Sequence, residues 1–384
     1  MKMNNSAELE LENFIHRLKY VSIVNKGKKT NPSFALNVPS EIGLKLNNNC
    51  NLRCKHCFEW NEDGYHQTMN YEEIKQEIDI NVIKKILDYT KEIKSNLFLW
   101  GGEPLLYSRL NEFIALLLKD PRRVVCTTNG LLINTQINNI LKISEMLTLL
   151  ISIDGFEQEH DYIRGEGTYK RLQQNIDKIL LLKNEGSYKG KISISMTISD
   201  MMIPRLVDFC KFFDSYNFDE IYLVYPWYIT DNIAIEMDKY IKHNYKELNI
   251  RTQCSWYSYR YHVSAENIEM LVDMVKNIKE SNWNSSIRFQ PPMHVEEIKG
   301  FILGNKKPVI NKTKCLALSS RMDVLPNGKV TSCKLFPELE VGDLSLQNVG
   351  EVWNNGLFNK IRCKVNEELM PVCSKCVSLY MYGI

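Results

Sequence analysis

Cys50, Cys54 and Cys57 stand on one short stretch, Cys50-Asn-Leu-Arg-Cys54-Lys-His-Cys57, with three and then two residues between them. Three thiols on one tight loop make a metal site. A structural zinc is closed by four ligands, whereas three thiolates on a four-iron cluster leave one iron open to another molecule. The spacing points to a cluster with room for chemistry, and a zinc knuckle short of its fourth ligand is the alternative. A second group lies near the C-terminus. Cys315 is followed by twelve residues, Gly328, four more residues and Cys333, with Pro326-Asn327-Gly328 predicting the turn of a hairpin between them, and Cys373-x2-Cys376 comes later. Two separated pairs suit either a zinc ribbon or an iron–sulfur cluster.

The front stretch follows an apolar alternating run, Ile42-Gly-Leu-Lys-Leu46, and carries an aromatic-type residue, His56, just before its third cysteine. It resembles the signature of the radical S-adenosylmethionine (SAM) enzymes. The resemblance implies a 4Fe-4S cluster on Cys50, Cys54 and Cys57 whose fourth iron is chelated by S-adenosyl-L-methionine, and cleavage of the sulfonium to methionine and a 5′-deoxyadenosyl radical. Trp100-Gly101-Gly102-Glu103-Pro104 resembles the family's Gly-Gly-Glu-Pro element, which holds the SAM amino group; two glycines ending a strand also make an ordinary turn. Ser152, in Ile151-Ser-Ile-Asp-Gly155, and Arg164, in His160-Asp-Tyr-Ile-Arg-Gly165, match the serine and arginine that hold SAM's carboxylate and ribose in peptide-modifying members. A hydroxyl and a fork-shaped cation suit those groups, and a solvated loop with an ion pair is the plainer alternative. Leu223 matches the apolar position whose backbone meets adenine, and core packing accounts for it equally. Asn129-Gly130 matches a turn of the family and is a turn signal anywhere.

The C-terminal group resembles the SPASM/twitch extension. The chain stops at Ile384, eight residues past Cys376, so it matches the shorter twitch form with one auxiliary 4Fe-4S cluster on Cys315, Cys333, Cys373 and Cys376. Four protein ligands close such a cluster to substrate, which favours electron transfer. Cys363 has no place in that pattern and reads as an alternative ligand, a hydrogen-atom donor or a buried thiol, the last being the commonest fate of a free cysteine, and the same holds for Cys126, Cys210 and Cys254. Relatives with this arrangement are mostly peptide maturases, which implies crosslinking, epimerisation or oxidation of a ribosomally made peptide, with a flavodoxin or ferredoxin as electron donor. Small-molecule dehydrogenation or rearrangement is the alternative. A non-catalytic zinc or iron–sulfur protein is the reading of another class.

These residues need elements to position them. Strand-like runs occur at Ile42–Leu46, Leu97–Trp100, Val124–Thr128, Leu147–Ile153, Ile192–Ile198 and Ile221–Tyr225, with helical periodicity between them, clearest over Tyr71–Ile93 and Tyr169–Asn184. Six β/α units imply a parallel sheet covered by helices, an α/β partial (β/α)6 TIM-barrel, with its site at the C-terminal strand ends. The expected domains are an N-terminal helical extension over 1–40 (helix Leu9–Val24), the barrel over 41–225, a helical connecting region over 226–300 with the aromatic cluster 256–262, and an α+β twitch domain over 301–384. The N-terminal segment is too short for a separate peptide-binding module. Hydrophobic residues make up 44% and the net charge is +2, so neither nucleic acid nor membrane is expected as a partner. No signal-type or spanning apolar run occurs, and eleven clustered cysteines suit metal ligation in a cytoplasmic protein.

Overall fold

Each of the six alternating runs forms a strand: β1 (Glu41–Lys45), β2 (Asn96–Trp100), β3 (Val124–Thr128), β4 (Leu147–Ser152), β5 (Lys191–Thr197) and β6 (Glu220–Val224). They pair in chain order, all parallel, each crossover carrying helix. The computed structural model describes residues 19–248, 254–304 and 312–384. The expected leading helix falls largely outside these residues; its described part is helical over 19–30.

The sheet goes further than six strands. Within the stretch expected as a helical connection, β7 (Ser286–Gln290) pairs parallel to β6. Beyond residue 300, β8 (Arg321–Val324) and β9 (Lys329–Thr331) form the expected hairpin around Gly328, whose φ of +78° suits glycine. β8 also pairs parallel to β1, and β10 (Glu340–Asp343) completes one ten-stranded sheet ordered β10-β9-β8-β1-β2-β3-β4-β5-β6-β7. The C-terminal region therefore extends the barrel's own sheet. Gly43 shows why that edge accepts β8. A Cβ there would lie 1.8 Å from Asp323 Oδ1, so only glycine leaves room for the Arg321–Asp323 ion pair that crosses β1.

Two-sided burial would make these parallel strands continuously apolar. Instead they alternate. In β5, Ile192, Ile194 and Met196 are buried in the core, while Lys191, Ser195 and Thr197 line an interior cavity. The same alternation puts Thr127, Ser152, Tyr222 and Gln290 on the cavity side. One sheet face packs and the other walls a lumen.

The long helix expected over Tyr71–Ile93 is two helices, Tyr71–Lys75 and Ile80–Tyr89. Asn70 and Glu73 form a capping box on the first, and Asp79 Oδ1 caps the second. Between them the backbone extends and pairs with the continuation of β1, Asn48 N donating to Gln76 O and Ile78 N to Leu46 O. The break holds the segment that leads into Cys50.

Candidate functional site

Cys50, Cys54 and Cys57 fall in the loop after β1, at the C-terminal end of the sheet, and all three line a cavity of about 1330 Å³. Cys57 N donates to Cys54 O, and Leu52 N donates to Cys50 Sγ at 3.4 Å. Burial raises all three thiols, Cys50 to about 12, and the charge of Cys54 would act on both others. Each keeps its proton until a metal displaces it. Among the described residues no group of three or more His, Cys, Asp and Glu side chains is arranged to hold a single metal ion.

The Gly101-Gly102-Glu103 loop is locked to the cysteine loop by backbone contact. Gly102 N donates to Asn47 O and Glu103 N to Asn49 O, at 3.1 and 2.9 Å. A Cβ at Gly102 would stand 2.0 Å from Asn49 O, and one at Gly101, where φ is +130°, 2.5 Å from Asn47 O. The glycines are needed first for the chain's own approach. The Glu103 carboxylate is buried and accepts from Leu105 N, Thr128 Oγ1 and Asn129 N. Burial raises its pKa against those three bonds. Asn129, in turn, donates to Asn51 Oδ1 at 2.7 Å. Three loops, after β1, β2 and β3, thus form one hydrogen-bonded unit.

A second unit closes from β4. Asp154, fully buried, accepts from His56 Nε2 and Arg164 Nε at 2.6 Å each and from Thr197 N at 2.9 Å. Burial by itself would raise this carboxyl, but Arg164 and then His56 hold it well below the usual range. The alternative of a solvated ion pair is excluded: Arg164 and Asp154 are 7% and 0% exposed. Arg164 lines the cavity, and among the described residues its Nη atoms have no partner. His160 Nδ1 accepts from Asp154 N, and burial, then Arg164, lower that histidine to about 4. His56 is therefore more than an aromatic spacer; it ties the cysteine loop to β4 and packs edge-on against Tyr261, centroids 5.6 Å apart.

Ser152 lines the cavity directly, as do Gly101, Gly102 and Glu103. The Leu223 side chain is fully buried in the core, in register between Met196 and Phe289, which leaves only its backbone for a ligand. The 256–262 cluster divides. Trp256 is buried and bonds Asp238, whereas Tyr259, Arg260 and Tyr261 line the cavity. Tyr259 stacks on Phe58, next to Cys57, at 4.7 Å and 13°. Sequence reasoning missed Asp154, Asn129's bond and a buried Lys45–Glu59 pair (2.7 Å) joined by Tyr65 and His66. The signal for the last was a lysine inside an otherwise apolar strand.

The four C-terminal cysteines come together from separate places: Cys315 before a short helical turn, Cys333 after β9, and Cys373 and Cys376 around the turn Pro371–Lys375. Cys315, Cys333 and Cys376 all act electrostatically on Cys373. Burial raises all four thiols. Cys363, expected as a buried thiol among other readings, is half-buried, and its charge, like that of Cys315, acts on Lys28. Arg362, beside it, is structural. It is fully buried, bonds Leu318 O and Trp353 O, and lies against Trp353 and Phe358.

Residues 44–196 match the family model of the radical SAM superfamily, and residues 315–377 match SPASM, an iron–sulfur cluster-binding domain. The antilisterial bacteriocin subtilosin biosynthesis protein of Bacillus subtilis is 21% identical over 396 residues, which cover 98% of this chain and 75% of that protein. An AdoMet-dependent heme synthase of Methanosarcina barkeri is 31% identical over 143 residues, 37% of this chain and 39% of the synthase. The chain thus spans under two-fifths of that second relative's length. Among solved structures, Streptococcus suis SuiB bound to precursor peptide SuiA superposes with a TM-score of 0.58 at 16% identity, covering 94% of this chain and 73% of SuiB. No described helix is long and apolar enough to cross a membrane.

Proposed function

Because this chain belongs to the radical SAM superfamily and carries a SPASM iron–sulfur domain, we propose that it modifies a ribosomally made peptide by abstracting a hydrogen atom from it. The observation that carries this reading is the shared cavity, into which the cysteine loop, Arg164 and residues beside the C-terminal cysteines all open. Its volume exceeds that of an ordinary small-ligand pocket.

The donor set fits a cluster with an open iron. Cys50, Cys54 and Cys57 would hold it, and Cys315, Cys333, Cys373 and Cys376 would hold an auxiliary one. When bound, the first cluster and SAM supply an electron and a 5′-deoxyadenosyl radical. The chain's residues bind and orient. Gly101, Gly102 and Glu103 would receive the SAM amino group, Arg164 would present its Nη atoms to SAM's carboxylate or ribose with Ser152 beside it, and the Leu223 backbone would meet adenine. Asp154 fixes Arg164 and His56 so that the fork points into the cavity. Tyr259, Trp227 and Phe58 wall the lumen with aromatic surface that excludes water. A flavodoxin or ferredoxin would deliver the electron.

Small-molecule oxidation or rearrangement is the second reading, favoured by the higher identity to the heme synthase, although that match spans only 37% of the chain. The test uses anaerobically reconstituted protein. About eight irons with matching sulfide, deoxyadenosine release from SAM under dithionite, and a SAM-dependent mass change in a peptide encoded beside the gene are expected. Zinc in place of iron, with SAM untouched, would overturn the reading.

A further inference from the structure

Lys334 follows Cys333 directly and, unlike it, lines the lumen. Its Nζ lies over two rings of β2, 4.1 Å from the Phe98 centroid and 5.2 Å from that of Trp100. Aromatic faces attract an ammonium but accept none of its hydrogen bonds in the ordinary sense. Among the described residues Lys334 has no hydrogen-bond or ion-pair partner. Two carboxylates whose charge acts on it, Asp323 and Glu41, are committed elsewhere: Asp323 takes Arg321 Nε and Nη2, and Glu41 takes Arg321 Nη1 and the Tyr382 hydroxyl. Lys45 provides the contrast. It stands 5.5 Å from the same Trp100 ring, yet it is held by Glu59.

Two more donors on this wall lack acceptors. Trp100 Nε1 and Thr127 Oγ1 are buried without a partner, and since Leu99 pairs with Cys126, Trp100 and Thr127 come next in the same register. Both side chains line the cavity. A buried donor with no acceptor is costly unless a ligand completes it. An ammonium, an indole N–H and a hydroxyl with no nearby acceptor suit one kind of guest, an oxyanion.

We propose that this wall, Trp100 and Thr127 beneath Lys334, is a carboxylate-binding subsite that positions an acidic group of the substrate. It deepens, and rests on, the peptide reading above. Its residues come from the ends of β2 and β3 and from the loop after β9, whereas Arg164 stands on the helix after β4, so the subsite is assigned to substrate and Arg164 to SAM. The carboxylate comes from a glutamyl or aspartyl side chain or from a peptide C-terminus, and both present the same chemistry.

The test measures binding of small probes to reconstituted full-length protein with SAM present, by saturation-transfer NMR. The probes are N-acetylglutamate N-methylamide, its glutamine counterpart, N-acetylalanine and N-acetylalaninamide. A charge-assisted contact predicts about tenfold or greater preference for an acid over its amide. Preference within the glutamate pair assigns a side chain, and preference within the alanine pair a chain terminus. Lys334→Arg should retain the preference and Lys334→Met should abolish it. Equal binding of acid and amide by the unsubstituted protein, no measurable binding of any probe, or a preference that survives in Lys334→Met would overturn the subsite. Iron content and deoxyadenosine release from the same samples judge the radical reading separately, so either can fail alone.

Discussion

The two groups of cysteines are built in opposite ways. In the front group the three thiols lie within residues 50–57 on one loop and open onto the cavity. In the rear group four thiols are gathered from residues 315–376, Cys373 and Cys376 buried and Cys315 and Cys333 half-buried, and none of them lines that cavity. On the proposed reading, three thiols on a local loop would leave an iron open to the lumen, and four thiols brought together by folding would leave none. On that reading the difference would separate a site for chemistry from a site for holding and passing charge.

The sharpest way to break this comparison is to remove the front thiols. Cys50, Cys54 and Cys57 changed together to Ala should cost about four irons and all deoxyadenosine release, and release at the original rate would defeat the assignment. Changing Cys373 and Cys376 should also cost about four irons but spare SAM cleavage while product formation stops; full product formation would make the rear group dispensable. Arg164→Met tests whether the front group's orienting residues act on SAM. It should weaken SAM binding by about tenfold or more, the size of a charge-assisted hydrogen bond, measured by equilibrium dialysis, with the rear cluster's spectrum unchanged.

Gly102→Ala probes the front loop's packing. Its Cβ would meet Asn49 O at 2.0 Å, backbone that cannot move without shifting the cysteine loop. A loss of about 1–3 kcal/mol in stability is expected in denaturant titrations, with iron lost from the front site first. The most gradual effect is with pH. His160 is held near 4, below its ordinary 6.5, so the unfolded chain binds more protons between those values. Its contribution is fully present above about 6.5 and is lost as pH falls toward 4, on the order of 3 kcal/mol at most. Urea midpoints should decline over that window, and His160→Asn should flatten the decline.

Much of the architecture was legible because it is periodic. Alternating runs marked β1 to β6, and the Pro326-Asn327-Gly328 turn marked the hairpin, since strand period and turn chemistry are local properties. β7 was written the same way, Ser-Ile-Arg-Phe-Gln, but stood alone after a long irregular stretch without the β/α rhythm that supported the others. The alternation of polar residues through β5 was also on view, and in the structure its polar side walls the lumen of the expected partial barrel.

Sequence alone determined which thiols stand together on the front loop and which strands succeed one another, because neighbours along the chain decide both. Folding decided the rest. It set β8 beside β1, tied His56 to Asp154 across 98 residues, pressed Gly102 against Asn49 and left Lys334 over Trp100. Those relations depend on where separate strand ends converge, and that convergence is fixed by packing and register over the whole sheet.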